Sequence, residues 1–220
     1  MPRTGNRDRV VRSPVLVLAS ASPRRAEILS SLGIAFRVLV SRRREALRPR
    51  EDARSAVRRL ALEKAQQVFS HAGGLPVLAA DTLVYRGAQI FGKPTGRADA
   101  AKMLTQLSGR VHDVATAVCL ITPDTLIERI AVSQVRFAAL SKSEIDWYTA
   151  TQEPLDKAGA YAVQGLGARF IEEIRGSYSN VVGLPARAVY EMLLEAGLSP
   201  LALPAPRPAS KRRIGPRGGR

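Results

Sequence analysis

The sequence predicts a mixed α/β protein with two lobes that share a cleft. Helical and strand-like segments alternate over the first half of the chain, whereas long β-rich segments dominate after residue 110. A chain of 220 residues can bury one large core or two lobes, and its 45% hydrophobic content is that of a globular protein. We therefore expect helices packed against a mixed sheet.

The segment LASASPRR, at Leu18–Arg25, lies between a short apolar strand and a helix. Val15–Leu18 is apolar throughout, small residues interrupt it, and Pro23 fits the first turn of a helix that reads RRAEILSSLG. A helix N-terminus presents unpaired N–H groups and a partial positive charge, which arginines oppose. Arg24 and Arg25 therefore indicate an anion site, such as one for phosphate. The alternative is an ordinary N-cap with two solvated arginines.

The remaining elements are predicted from hydrophobic spacing and from turn residues. Strands are predicted at Ala35–Val40, Val77–Ala80, Val111–Thr122 and Leu126–Phe137, with a short hairpin across residues 84–91. Helices are predicted at Glu51–Ser70, Asp99–Leu107, from Ser141 or Ser143 to residue 151, and at Pro185–Gly197. The glycines between Glu153 and Pro185 predict short strands separated by tight turns.

The net charge of +15 is concentrated in two tails and one internal segment. Residues 1–13 contribute +3, residues 41–59 contribute +5 and residues 205–220 contribute +6, which leaves +1 for the rest. We expect residues 1–13 and 204–220 to be basic disordered extensions of one domain at residues 14–203. Because the body is nearly neutral, nucleic acid is expected to bind only weakly, through the tails.

Motifs that are missing from the sequence disfavour several classes of protein. No apolar segment reaches the roughly 18 residues of a membrane span, and no signal-peptide-like segment is present, so a cytoplasmic protein is expected. Cys119 is the single cysteine and is expected to be a small buried residue, not part of a disulfide or a zinc site. His71 is expected at a helix end and His112 in a structural hydrogen bond, so a histidine metal site is disfavoured. P-loop, Rossmann and nucleophile-elbow motifs do not occur.

Two acids are the first candidates for catalysis. Asp81 ends an apolar strand, where it could activate water or hold a divalent cation, or else cap a turn with Thr82. Glu45 stands in an arginine-rich loop, where the alternative is a surface ion pair.

Two lysines complete the set of candidates. Lys93 lies between a glycine and a proline, so its backbone is stiff and could aim the ammonium group. Asp156 and Lys157 occupy a glycine-flanked loop, where the alternative is a local ion pair. A basic anion site with scattered acids and no nucleophile triad fits metal-assisted phosphoryl or nucleotidyl transfer to water.

Four segments together resemble the Maf family of nucleoside triphosphate pyrophosphatases. They are LASASPRRAEIL, AADTLV, GKP and EPLDKAGAYAVQG…GSYSNVVGLP, in this order between Val15 and Gly197. The resemblance implies a two-lobed α/β fold like that of the inosine triphosphate pyrophosphatases, with the active site in the cleft between the lobes. It also implies hydrolysis of a nucleotide to the monophosphate and pyrophosphate with Mg²⁺ or Mn²⁺, as a housecleaning activity. A homodimer is a further expectation.

The resemblance assigns roles to residues by their position in these motifs. The catalytic residues that it implies are Asp81 as proton acceptor, Glu45 and Lys93, and Lys64 matches a recurrent lysine. The substrate-binding residues that it implies are Ser20, Arg24, Arg25, Thr82, Asp156, Lys157 and Gln164. Glu45 and Asp81 are the expected metal ligands. The family often has a second acid directly before the loop glutamate, and Arg44 stands there in this chain.

Arg25, Thr82 and Gln164 resemble the residues of the subfamily that acts on dTTP and UTP. Gln164 offers both a donor and an acceptor, which suits the O4 and N3–H edge of uracil or thymine. The 7-methyl-GTP subfamily tends to have a glutamate at this place. The expected substrates are therefore dTTP, UTP and modified pyrimidine nucleotides. The alternatives are the same chemistry on 7-methyl-GTP or another modified nucleotide, and a basic nucleic-acid- or division-associated binding protein.

Overall fold

The computed structural model describes residues 16–42 and 45–198, and within these ranges the chain forms seven strands and six α-helices. The strands are β1 (Leu16–Leu18), β2 (Phe36–Val38), β3 (Val77–Arg86), β4 (Gln89–Phe91), β5 (Val111–Ile121), β6 (Leu126–Phe137) and β7 (Ile171–Arg175). The helices are α1 (Pro23–Ser31), α2 (Ala53–Phe69), α3 (Arg97–Leu107), α4 (Lys142–Thr149), α5 (Tyr178–Val182) and α6 (Ala186–Glu195). The predicted tails, at 1–13 and 204–220, and Arg44 lie outside the described residues.

The strands form one mixed sheet in the order β2-β1-β3-β5-β6-β7, with β4 paired to β3. β1 pairs in parallel with β2 and β3, whereas the remaining pairs are antiparallel. β5 and β6 form a hairpin that pairs continuously from Val111↔Arg136 to Ile121↔Leu126, as the turn residues between them predict.

The edge of β3 is open over the middle of the strand. β1 pairs with β3 only at Val77 and Leu78, and β4 pairs with the same edge from Val84 onward. Residues 79–83 therefore face no strand at this edge within the described chain. On its other edge β3 pairs with β5 from residue 77 to residue 85, which holds these residues in extended conformation. Side chains alternate along a strand, so successive residues beside the opening point to opposite faces of the sheet.

The predicted two lobes share this one sheet, because the long strands pass from one hydrophobic cluster into another. Near the start of β3, α2 packs on one face against residues such as Val77 and Ala79, and α1 and α6 pack on the other face against Leu78 and Ala80. At the far end, Val84 joins a cluster with α3, α4 and the aromatic residues that follow. The opening in β3 lies between these two regions.

Most helix boundaries agree with the sequence, and local hydrogen bonds explain the differences. α2 begins at Ala53 because the Asp52 side chain accepts hydrogen bonds from the amides of Arg54 and Ser55, at 3.0 and 3.1 Å. Ser141, rather than Ser143, caps α4 and forms a capping box with Glu144.

The prediction of several short strands between Glu153 and Pro185 is wrong in most of that segment. It contains three short 3-10 helices, one strand and one helix, and the 3-10 helices span Glu153–Asp156, Ala158–Ala160 and Leu166–Phe170. Gly159 and Gly165 have φ angles of 71° and 147°, so the chain turns at these residues instead of pairing with a neighbouring strand.

Three predictions about single residues are confirmed. Cys119 is fully buried in the core, His71 contacts the carbonyl of Gln67 at the end of α2, and His112 is buried with Nε2 2.9 Å from the Tyr161 hydroxyl. Across residues 16–42 and 45–198, no helix combines the length and the apolar character needed to cross a membrane.

Candidate active site

A cleft of about 310 Å³ occupies the opening beside β3 and collects side chains from both ends of the sheet. Residues from both faces of the sheet line it, because consecutive residues of β3 point in opposite directions. The sequence-predicted site residues that line this cleft are Ser20, Arg24, Arg25, Glu45, Asp81, Thr82, Lys93, Asp156 and Lys157, together with Lys64. The fold therefore brings together residues that are up to 137 positions apart in the sequence, from Ser20 to Lys157.

The N-terminus of α1 opens into the cleft. Ser22 is the N-cap residue in extended conformation, but its side chain makes no capping hydrogen bond, so it leaves the first-turn N–H groups uncapped. The guanidinium of Arg24, on that first turn, makes no hydrogen bond or ion pair with any described residue. Its charge helps to lower the pKa of Asp156 across the cleft, although Lys157 has the larger effect and burial opposes both. Uncapped amides and an unpaired guanidinium together form a site for an anion.

Arg25 has a different role, because it is half-buried and its guanidinium is bonded to the protein. Nε donates to the carbonyl of Gly183 at 2.8 Å, Nη1 donates to Ser20 Oγ at 3.2 Å, and Nη2 donates to Thr82 Oγ1 at 3.0 Å. Burial lowers the pKa of Arg25, and the charge of Asp81 opposes this effect. The alternative of two solvated arginines is therefore wrong for Arg25, which ties three walls of the cleft together.

Asp81 is buried and pairs with Lys64 from α2. The strand continues through Asp81 to Arg86, so the alternative of a turn cap with Thr82 is wrong. The Lys64 ammonium also contacts Glu45 Oε1 at 2.5 Å, and Glu45 Oε2 lies 3.4 Å from Lys93 Nζ. Two carboxylates and two ammonium groups thus alternate in a row, from the buried Asp81 to the exposed Lys93.

The two carboxylates of this row have opposite pKa shifts. Burial raises the pKa of Asp81, although Lys64 and Arg25 oppose the shift. Burial would also raise the pKa of Glu45, but hydrogen bonds and charge from Lys64 and Lys93 outweigh it, so that pKa is lowered. Carboxylates with diverging pKa values suit different tasks, a base for Asp81 and a fixed negative charge for Glu45.

The two lysine-bearing loops are joined by a backbone hydrogen bond. The Gly159 amide donates to the carbonyl of Gly92, directly before Lys93, at 3.1 Å. A Cβ at Gly159 would lie 3.0 Å from the Val84 side chain, so only glycine fits this approach without displacement. Lys157 pairs with Asp156, as the local ion-pair alternative predicts, and both still line the cleft.

Gln164 is exposed and does not line the cleft, although its neighbours Ala162 and Val163 do. The loop that carries it wraps around the Glu153 carboxylate, which accepts hydrogen bonds from the amides of Leu166 and Gly167, both at 3.0 Å. The sequence interpretation missed Glu153, whose contacts depend on tertiary structure. The close-spaced glycines after Gln164 were the available signal.

The Tyr148 hydroxyl also holds the loop that carries Gln164. It donates to Glu153 Oε1 at 2.8 Å and accepts from the Ala162 amide at 3.1 Å. A Cβ at Gly167 would lie 2.7 Å from this hydroxyl, which leaves no room for a side chain. Tyr148, likewise unassigned from the sequence, fixes the chain directly before the cleft-lining Val163.

The donors of the cleft fit a divalent cation that is shared with phosphates. Mg²⁺ is usually held by one or two carboxylates together with substrate phosphates and water, rather than by a cage of protein ligands. No group of three or more metal-binding side chains occurs within the described ranges. Glu45 and Asp81 both contact Lys64 Nζ, so their carboxylates lie close enough together to bind one cation between them.

Comparisons with known proteins show which family this chain is similar to. The model of the family described as Maf-like protein matches residues 15–196. The dTTP/UTP pyrophosphatase of Anaeromyxobacter dehalogenans (strain 2CP-1 / ATCC BAA-258) is 48% identical over 189 residues, which cover 84% of this chain and 95% of that protein. The dTTP/UTP pyrophosphatase of Myxococcus xanthus (strain DK1622) is 50% identical over 186 residues, which cover 84% and 93%.

Among solved structures, the Ham1 protein of Staphylococcus aureus matches 83% of this chain and 98% of its own. The sequence identity is 14% and the TM-score is 0.45. This likeness is too weak to inform the fold or the activity.

Proposed function

The chain belongs to the Maf-like protein family, and on that basis we propose that it hydrolyses dTTP and UTP to the monophosphate and pyrophosphate. The observation that carries the proposal is the position of Asp81, a buried carboxylate with a raised pKa at the opening of the sheet. Three cationic residues line the same cleft: Arg24, Lys93 and Lys157. A base beside a polyphosphate-sized cationic cleft suits the attack of water on a phosphoric anhydride.

In the proposed reaction the triphosphate lies across the N-terminus of α1. Arg24, Lys93 and Lys157 hold its oxygens, so that the negative charge that develops in the transition state is neutralised at fixed positions. Asp81 accepts a proton from water as the water oxygen forms a bond to the α-phosphorus. The bond from the α-phosphorus to the bridging oxygen breaks, and pyrophosphate leaves.

Glu45 and Asp81 would hold the divalent cation, Mg²⁺ or Mn²⁺, that the family resemblance implies. When bound, the cation would neutralise phosphate charge beside Lys64. The lowered pKa of Glu45 keeps this residue ionised over the neutral range, as a cation ligand requires.

Selectivity for the base is proposed to depend on Arg25, Thr82 and Gln164. Arg25 and Thr82 line the cleft and are hydrogen-bonded to each other at 3.0 Å. Gln164 stands at the rim, next to the cleft-lining Val163, and its amide can both donate to and accept from a pyrimidine. We also propose a housecleaning role that includes modified pyrimidine nucleotides, a cytoplasmic location and a homodimeric assembly.

A panel of nucleotides tests the proposal directly. The full-length chain is incubated with Mg²⁺ and with dTTP, UTP, CTP, GTP, ATP or 7-methyl-GTP, and the products are separated by chromatography. We expect dTTP and UTP to give monophosphate and pyrophosphate faster than the other nucleotides. Release of orthophosphate and a nucleoside diphosphate would contradict the proposed bond cleavage, and a preference for 7-methyl-GTP would contradict the proposed substrate.

A further inference from the structure

Two hydroxyl groups flank the Arg25 guanidinium in the cleft. Ser20 Oγ accepts from Nη1 at 3.2 Å and Thr82 Oγ1 accepts from Nη2 at 3.0 Å. A hydroxyl has one proton to donate and two lone pairs that accept. The other partners of each hydroxyl therefore decide what it can still offer to a substrate.

Ser20 is left with its proton. Its oxygen accepts a hydrogen bond from the Ser22 amide at 3.2 Å and a second one from Arg25 at 3.2 Å. Both lone pairs are then in use, and the remaining capacity of the hydroxyl is to donate. A donor at this place suits an oxygen of the substrate.

Thr82 is left with a lone pair, because of Thr116 on the neighbouring strand β5. Thr116 is fully buried, and its Oγ1 lies 3.1 Å from the carbonyl oxygen of Asn180 and 2.9 Å from Thr82 Oγ1. A carbonyl oxygen can only accept, so Thr116 donates its single proton to Asn180. Thr82 must then donate to Thr116, and its oxygen accepts from Arg25 with one acceptor site left.

We propose that Thr116 is a specificity-positioning residue that fixes the Thr82 hydroxyl as a hydrogen-bond acceptor toward the cleft. Thr116 does not line the cleft, so it acts only through Thr82. The proposal rests on the proposed function. Uracil and thymine carry an N3–H donor that such an acceptor can bind, whereas N3 of cytosine is itself an acceptor and would face a lone pair. The buried hydroxyl of Thr116 thus favours UTP and dTTP over CTP.

Thr116→Val tests this assignment with little change in shape. The variant removes the acceptor for Thr82, whose proton can then rotate toward a cytosine N3. The carbonyl of Asn180 keeps the hydrogen bond that it accepts from the Gly183 amide at 2.9 Å, so no buried acceptor is left unpaired. We expect the ratio of kcat/KM for UTP to that for CTP to fall up to about tenfold, the size of effect expected for the net contribution of one hydrogen bond. Thr116→Ser keeps the hydroxyl and is expected to keep the wild-type ratio.

A double variant shows whether the effect passes through Thr82. Thr82→Val alone is expected to lower the ratio, and adding Thr116→Val to it is expected to cause no further decrease. If Thr116→Val does not fold, Thr116→Ala removes the same hydroxyl without a larger side chain. An unchanged UTP to CTP ratio in a folded variant that lacks the Thr116 hydroxyl would overturn this inference and leave the proposed function intact. A wild-type chain that fails to hydrolyse UTP would overturn both.

Discussion

Asp81 and Lys64 form an ion pair that is almost completely removed from solvent. Their residues are 5% and 7% exposed, and the pair joins β3 to α2 across one face of the sheet. Removing one partner of a buried ion pair leaves the other charge uncompensated, whereas the intact pair holds both groups in fixed positions. In this cleft the carboxylate that is held is the proposed base.

Asp81→Asn is expected to lower kcat for UTP by about 10²-fold or more, because the amide has nearly the same shape but cannot accept the proton of water. Steady-state pyrophosphate release measures the effect, and urea unfolding checks that the fold is intact. Asp124→Asn, in the exposed turn between β5 and β6, is the matched control and should retain wild-type kcat. Near-normal turnover by Asp81→Asn would remove Asp81 from the proposed role.

Lys64→Met is expected to move the acidic limb of the pH profile of kcat/KM to higher pH. The base must be ionised, so activity falls as the pH falls through the pKa of Asp81, which burial has raised above 3.8. Lys64 opposes that rise, and its loss lets burial raise the pKa of Asp81 further. The profile is measured with UTP at fixed Mg²⁺.

Lys142→Met removes an exposed ammonium group from α4 and provides the comparison. It should leave the acidic limb where it is in the wild-type chain. A shift of the limb to lower pH in Lys64→Met would show that the limb does not report Asp81.

The sequence was sufficient to predict those elements whose structure depends on residues close to them along the chain. The apolar spacing of α2 and the turn between β5 and β6 both appear in the structure close to where they were predicted. The segment after Glu153 could not be predicted in the same way. Its turns are held by the Glu153 carboxylate and the Tyr148 hydroxyl, whose partners lie up to 14 residues away.

In the candidate site, too, features set by adjacent residues were predictable and contacts between distant residues were not. The start of α1 beside its two arginines was predictable because the strand end, the proline and the arginines are adjacent in the sequence. The different roles of Arg24 and Arg25 were proposed from the family resemblance, but the contacts of Arg25 with Gly183 and Thr82 required the folded chain. The pairing of Lys64 with Asp81 depends on the packing of α2 on β3, and no local pattern records it.

Gly159→Ala is expected to destabilise the protein and to raise KM for UTP. The alanine must adopt a φ angle of 71°, and its Cβ would lie 3.0 Å from the Val84 side chain. Backbone strain and overpacking together should lower the free energy of unfolding by about 2–4 kcal/mol. Displacing this residue also loosens the hydrogen bond to Gly92, which sets the position of the Lys93 loop. Urea unfolding and initial-rate kinetics measure the two effects.

Gly87→Ala separates backbone strain from overpacking. Gly87 has a φ angle of 59° in the turn after β3, and no heavy atom lies within 4 Å of an added Cβ. The free energy of unfolding of Gly87→Ala should be about 1–2 kcal/mol lower than that of the wild type, from strain alone. Its KM for UTP should be unchanged. Equal losses in stability from the two substitutions would show that the contact of Gly159 with Val84 is unimportant.

Glu153→Gln is expected to raise KM for dTTP and UTP more than it lowers kcat, since it affects the loop of Gln164 and not the reacting groups. The carboxylate accepts from Tyr148, Leu166 and Gly167, and an amide would place a donor against one of these donors. We expect a loss of about 1–3 kcal/mol in unfolding free energy as well. Glu172→Gln, an exposed residue of β7, is the control. A change confined to kcat would argue against a role in positioning this loop.

His112 should make the stability of the protein depend on pH between about 4 and 6.5. Burial lowers the pKa of this residue from 6.5 to about 4. As the pH falls below 6.5, the unfolded chain therefore binds a proton that the folded chain does not. Stability that is present above pH 6.5 is lost down to pH 4, by a total of about 3 kcal/mol, and no further loss comes from this group below that pH.

His112→Gln isolates this contribution, because glutamine can still bond to the Tyr161 hydroxyl but does not titrate. Unfolding free energies are measured in urea at intervals from pH 7.5 to pH 4, and the difference between wild type and variant cancels the contributions of the acids. The difference should shrink as the pH falls, because only the wild type loses stability through His112. His71→Gln, the same change at an exposed histidine, serves as the control and is expected to keep the wild-type dependence. A difference that stays constant with pH would mean that His112 gains its proton equally easily in both states, which its burial against Phe137 and Tyr161 argues against.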